Sequence, residues 1–282
     1  MKKRLLNLIL ILLIFSITNS SNISFISSMH KSSSFDKNYA SKNKDWILLK
    51  KLYEKNFLNK IHNINDKSEY KIPPIIHHIW IGPNPLPKES EILIESWKKY
   101  HPDWAHKLWT NEDLKDFKLT NKKQFDSATN WGEKSDILRY EILYKYGGLY
   151  VDHDFECLKS FDNIHKCCSF YAGILHSKKV EIANGIIGST PGHPLLKICI
   201  DNIKEKGSNN NVLSILARTG PYYFTKCFLN YVKNGSKDII AFPVSFFFPM
   251  NNNEQNCSRE MAKKWIQQES YAIHYWACSW CK

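Results

Sequence analysis

Apolar residues fall in two rhythms along this chain, and the changes between them mark its elements. Ile75 to Ile81 is a short apolar block closed by Gly82-Pro83, the pattern of a buried strand. Residues 88–100 (KESEILIESWKKY) switch to helical spacing. His106 to Thr110 predicts a second strand, after which Asn111 is placed to cap a short helix through Phe117. Glu133 to Tyr146 is helical, with Gly147 placed to end it in the left-handed conformation. Leu149 to Val151, Ser169 to Leu175 and Ala183 to Gly188 read as strands, and His193 to Lys206 and Pro221 to Lys233 as helices. Ile239 to Phe242 and Tyr271 to Trp276 are late strands. Such alternation predicts an α/β domain with a mainly parallel sheet flanked by helices, in which ligands bind beyond the carboxyl ends of the strands.

The first 71 residues have a different texture. Met1-Lys2-Lys3-Arg4 precedes an apolar run from Leu5 to Ile17, interrupted only by Asn7 and Ser16. A basic start followed by a short apolar stretch is a secretory signal pattern, and the run is shorter than the roughly 20 residues that span a bilayer comfortably. Residues 1–20 are therefore expected to be a cleaved signal or a type II signal-anchor. Either directs the rest into the lumen of the endoplasmic reticulum or Golgi, or to secretion. Residues 21–71, rich in Ser, Asn and Lys, are expected to form a polar stem. Asp45 to Asn59 reads as a partly helical linker or as a short helix that docks on the domain, with Trp46, Leu49, Leu52 and Tyr53 at helical spacing, and the linker is the preferred reading. The catalytic domain is expected over 72–282.

Composition narrows the picture further. A hydrophobic share of 43% and an aromatic share of 13% suit a folded core. The formal net charge of +12 lies largely in the tail and stem, and no nucleic-acid motif accompanies it, so no nucleic-acid partner is expected. All eight cysteines lie at or after Cys157, and in a lumenal chain they are candidates for structural disulfides. Cys278 and Cys281 form a C-x-x-C with no second pair to complete a zinc site. Asn234 and Asn256 head glycosylation sequons, which agrees with the lumen.

The chemistry concentrates in Ser135 to Asp154, SDILRYEILYKYGGLYVDHD. Asp136 and Arg139 are three apart on the expected helix and share a face. Gly147-Gly148 turns the chain into the strand. If that strand continues, Tyr150, Asp152 and Asp154 project to one side. Two carboxylates at that spacing repel unless a cation or protons compensate, and a hard divalent ion is the simplest answer. A bare D-x-D is weak evidence; the helix and Gly-Gly turn before it supply the context. His153 would point away, and His77 and His78 in the first strand read as structural.

This block, with the opening IPPIIHHIWIGPNPLP, Ser96-Trp97 with His101-Pro102, and the ending AIHYWACSW, resembles a glycosyltransferase family with D-x-D sugar-binding regions. That family is typified by yeast initiating α-1,6-mannosyltransferase and inositolphosphorylceramide mannosyltransferases (glycosyltransferase family 32). The likeness covers roughly residues 72–280. It implies a GT-A fold, a nucleotide-sugar donor, a divalent metal (Mn2+ or Mg2+) and transfer with retention of configuration. Carried over, the catalytic set is Asp136, Arg139, Asp152 and Asp154. Trp80, Asp136, Arg139, Tyr150, Asp152, Asn184 and Trp280 would bind the donor, and Asp154, Asp152 and His274 would hold the metal. The acceptor would be a glycan, glycolipid or protein. No Gly-rich phosphate loop, G-x-S-x-G or H-E-x-x-H supports another enzyme class. The rival reading is a glycan-binding or degenerate domain without catalysis.

Overall fold

A computed structural model of the protein describes residues 23–29, 34–205, 211–235, 238–255 and 257–277. The expected signal segment, Trp280, Cys278, Cys281 and Asn256 lie outside them. The core is a six-stranded sheet in the order β2-β1-β3-β6-β5-β7, built from Ile75–Ile79 (β1), Ala105–Trp109 (β2), Gly148–Val151 (β3), Phe170–Ile174 (β5), Ile182–Ser189 (β6) and Ile239–Phe242 (β7). A two-stranded antiparallel ribbon pairs Phe155–Cys157 (β4) with Ala272–His274 (β8). Within the sheet only β6 runs against its neighbours; the other pairings are parallel. This is the mixed, mainly parallel, helix-flanked α/β sheet that the GT-A resemblance implied.

That topology decides where a ligand can sit. The carboxyl ends of β1, β3, β5 and β7 all reach one edge of the sheet, and the reversed β6 starts there. Trp80, Asp152, His176 and Asn184, far apart in sequence, therefore converge.

The helices follow the sequence pattern closely in several places. Lys88–Tyr100 and Pro221–Lys233 match their expected bounds, and Trp131–Tyr146 starts two residues early, where Asn130 accepts hydrogen bonds from the N–H groups of Gly132 and Glu133. Gly147 ends that helix at φ 65°. Gly148 follows at φ 94°, and a Cβ there would lie 2.6 Å from the carbonyl oxygen of Ile75. Glycine alone allows β3 to lie this close to β1.

Six expectations need correction. No helix forms after Asn111. Its amide instead exchanges hydrogen bonds with the backbone of Gly82, at 3.0 and 2.8 Å, and ties the β2 exit to the β1 exit. The strand bearing Tyr150 does not continue to Asp154; it ends at Val151, and a turn carries Asp152 to Asp154. The helix after His193 ends at Asp201, and the last strand covers only Ala272–His274. None of the six described cysteines is joined to another; Cys157, Cys167, Cys168, Cys199 and Cys227 are buried as small apolar side chains.

The sixth correction concerns the expected stem. Phe25, Trp46, Leu49, Tyr53 and Phe57 are buried in the same hydrophobic cluster as the sheet. They come from helices Phe25–Met29 and Lys44–Tyr53 and the π-helical turn Glu54–Leu58. Phe57 packs on Phe242 of β7 with ring centroids 4.9 Å apart, and the Asn56 amide donates to the carbonyl of Ile239 at 3.0 Å. β7 is an edge strand, and its unpaired backbone needs cover. The segment supplies that cover, so its apolar face is part of the fold.

Candidate functional site

A cleft of about 1000 Å³ opens at the converging edge. Trp80, Asp136, Arg139, Tyr150, Asp152, Asp154, Asn184 and His274 all line it.

Its floor is a buried polar network on the helix Trp131–Tyr146. The Asn184 amide donates to Asp136 Oδ1 at 2.7 Å, and the Thr219 hydroxyl donates to Oδ2 at 3.0 Å. Tyr140 Oη accepts from Asn184 at 3.0 Å and donates to the carbonyl of Thr219 at 2.6 Å. Burial pushes the Asp136 carboxyl up to about 6, and the nearby Arg139 charge limits the rise. Arg139 reaches across with Nη2 at 3.3 Å from Asp136 and 3.4 Å from Asp152, while Nη1 donates to the carbonyl of Asn184 at 2.8 Å. Its guanidinium lies 4.5 Å from the Tyr150 ring centre. Burial disfavours its charge, but Tyr150, Asp152 and Asp136 outweigh burial and hold Arg139 protonated.

The wall beside this floor is made by the turn after β3 and by β8. The Tyr150 hydroxyl donates to Asp152 Oδ1 at 2.5 Å. Asp152 lies against Gly185: a Cβ there would be 2.6 Å from Asp152 Oδ2. His274 Nε2 is 2.9 Å from Asp154 Oδ1, and the Ala277 N–H donates to Oδ2 at 2.8 Å. Burial alone would raise the Asp154 carboxyl; the His274 imidazole and these hydrogen bonds keep it below the usual carboxylate range. Asp152, Asp154 and His274 each offer a ligand atom within 4.8 Å of the others. Two carboxylates and an imidazole are ligand types that a divalent cation takes, and Asp152 and Asp154 supply the negative charge that attracts one. The residues present fit a divalent cation.

Trp80 stands at the cleft mouth, its indole N–H donating to the carbonyl of Asn84 at 2.8 Å. His153 packs edge-on against it at 4.8 Å and hydrogen-bonds Ser90, outside the metal-ligand set. His77 and His78 are buried and bond the carbonyls of Gly147 and Val151. Burial lowers them to about 4 and about 3, so both are neutral braces between β1 and β3.

Residues 87–170 match the family model described as a glycosyltransferase sugar-binding region containing a DXD motif. The matched span includes Asp136, Arg139, Asp152 and Asp154. Inositol phosphoceramide mannosyltransferase 3 of Schizosaccharomyces pombe is 31% identical over 170 residues, 58% of this chain and 47% of that protein. The match thus spans about half the length of that relative. An uncharacterised glycosyltransferase of Acanthamoeba polyphaga mimivirus is 28% identical over 210 residues, 71% of this chain and 83% of that one. Among solved structures, PaToxG glycosyltransferase aligns at TM-score 0.48 and 20% identity, covering 68% of this chain and 81% of that chain.

Four contributors to the DXD site escape sequence reading. Gly185 was legible in principle, since a glycine inside a strand pattern marks a close approach. Trp276, in the quoted ending, lines the cleft, contacts His274 at 4.3 Å and adopts φ 56°. Tyr140 looks like one more apolar position of its helix, and Thr219 carries no local signal.

Proposed function

We propose that the protein is a retaining, metal-dependent glycosyltransferase that moves a hexose from a GDP- or UDP-sugar to a hydroxyl of a glycan, glycolipid or protein. One observation carries the reading. The Asp152, Asp154 and His274 ligand atoms converge within 4.8 Å in the cleft that also holds the Asp136–Arg139–Asn184 network. The name of the fission-yeast relative favours mannose as the sugar and an inositol phosphoceramide as the acceptor. The basic-apolar N-terminus supports work in the secretory lumen.

When bound, a divalent cation supplies the positive charge that a departing nucleoside diphosphate needs. The chain's own groups do the rest. Tyr150 and the Ala277 N–H hold Asp152 and Asp154 in position. Arg139 and Asp136 present a fixed donor and acceptor to the sugar hydroxyls, in a floor that excludes water. Arg139 also adds positive charge beside the site. Trp80 offers an aromatic face for the base. The acceptor oxygen attacks on the face that the diphosphate leaves, which gives retention.

The test is a panel of nucleotide sugars assayed for turnover with and without Mn2+. Turnover should require Mn2+, and Asp154→Ala should abolish it while the melting profile persists. Full activity in that variant would remove the metal assignment. Binding without turnover in the parent would favour a carbohydrate-binding domain.

A further inference from the structure

The cleft extends past the donor floor to the hairpin between β5 and β6. Leu175, His176 and Glu181 line it there. The ladder fixes this hairpin: β5 and β6 pair at Ile174 and Ile182, and the Leu175 N–H donates to the carbonyl of Glu181 at 2.9 Å. Side chains alternate along a strand, so Glu181, Ala183 and Gly185 share a face. Gly185 is the residue against which Asp152 rests. Glu181 is therefore about 13 Å from Gly185 along that face, at a rise of roughly 3.3 Å per residue. That span leaves room for a sugar ring beside Asp152 and a second ring beyond it.

The lining of the far end holds one carboxylate and no cation. The other buried carboxylates away from the DXD corner are fully engaged: Glu141 accepts two backbone N–H bonds and Glu133 takes Arg218. Glu181 is only half-buried. Burial raises its carboxyl above the usual range, and a hydrogen bond from Ser177 opposes the rise. His176 is neutral, its pKa lowered by burial. Its Nε2 lies 2.6 Å from the carbonyl of Phe248, which can only accept, so the proton is on Nε2. Its bare Nδ1 is buried without a partner. That lone pair is sealed from the cleft, so Glu181 is the acceptor that the lining presents there. A ligand rich in hydroxyl donors satisfies it.

We propose that the β5–β6 hairpin is the acceptor subsite and that Glu181 receives hydrogen bonds from hydroxyls of a polyhydroxylated ring, a pyranose or a cyclitol. The inference rests on the glycosyltransferase reading above and names the acceptor chemistry of the same cleft. Glu181 is a specificity residue, and it takes no part in holding the donor.

Titration calorimetry on the full chain tests it with two probes, methyl α-D-mannopyranoside and myo-inositol, each added with Mn2+ and GDP or UDP present. The parent should bind at least one ring. Glu181→Ala should weaken that binding at least tenfold, and Glu181→Gln, which keeps a carbonyl acceptor, should weaken it less. The melting temperature and the affinity for the Mn2+–nucleotide should stay at parental values. Three results overturn the proposal: no ring binding by the parent, equal ring affinity in Glu181→Ala, or a parallel fall in nucleotide affinity. Failure of the parent to bind either nucleotide with Mn2+ would instead strike the transferase reading, and ring binding measured without nucleotide would still judge Glu181.

Discussion

Gly185→Ala is a one-methyl probe of the DXD site. The new Cβ would lie 2.6 Å from Asp152 Oδ2, 3.4 Å from its Cγ and 3.6 Å from Phe155 Cε2. The backbone cannot slide away easily, because the Asp152 N–H donates to the Gly185 carbonyl at 2.8 Å. The carboxylate must rotate, and with its side chain 26% exposed it has room to do so. Rotation breaks its 2.5 Å bond from the buried Tyr150 hydroxyl. An unsatisfied buried hydroxyl costs about 1–3 kcal/mol and an off-rotamer side chain about 1 kcal/mol. The sum, about 2–4 kcal/mol, corresponds to a fall in melting temperature of about 5–10 °C for a chain of this size. Far-ultraviolet circular dichroism should be unchanged. Mn2+-dependent nucleotide binding, followed by calorimetry, should weaken at least tenfold as Asp152 leaves the triad. Parental affinity in Gly185→Ala would refute the reasoning, because the position of Asp152 would then be irrelevant to the site.

Other measurements bear on the same structure. Asp136 has a folded pKa of about 6 against an ordinary value of 3.8, so the native state binds its proton more tightly. Its contribution to stability is full below pH 3.8 and is lost as pH rises through about 6, a change of about 3 kcal/mol. Chemical denaturation of Asp136→Asn between pH 4 and 7 should lack that part of the slope; identical slopes in parent and variant would contradict the burial argument. Arg139→Ala leaves Asp136 and Asp152 without their cation, so a loss of about 3–5 kcal/mol is expected in urea, and Arg139→Lys should restore little of it. Trp46→Ala removes a core side chain from the covering segment, and urea denaturation should show a loss of about 3–5 kcal/mol. A loss below 1 kcal/mol would return that segment to the status of a stem.

The sequence was most readable where one element carried the whole signal. Asp136 and Arg139 share a helical face by spacing alone, and Gly147-Gly148 announces the turn into β3. The order of the strands and the single reversed strand were not written in any local pattern. Reversal of β6 is what brings Asn184 and Gly185 to the ligand edge, and it follows from which strand pairs with which. The covering segment was misread because its polar residues outnumber its apolar ones. Trp46, Leu49, Tyr53 and Phe57 are few, yet all four are buried together, and packing responds to placement more than to average composition. The turn at Asp152–Asp154 escaped because alternation of Tyr150, Asp152 and Asp154 fits an extended strand equally well. Thr219 and Tyr140 reach Asp136 only through tertiary folding, and no spacing rule could have joined them.

The hold on Asp154 also has a consequence for synthesis. The Asp154 carbonyl accepts from the N–H of Tyr275, its carboxylate accepts from the N–H of Ala277, and β4 pairs with β8. Every strand of the central sheet is complete by Phe242. A chain emerging from the ribosome can therefore build its whole sheet before the corner that grips Asp154 exists. Competence arrives only once the segment through Ala277 has emerged, and a proteolytic nick after Ser270 would silence the site while leaving the sheet standing.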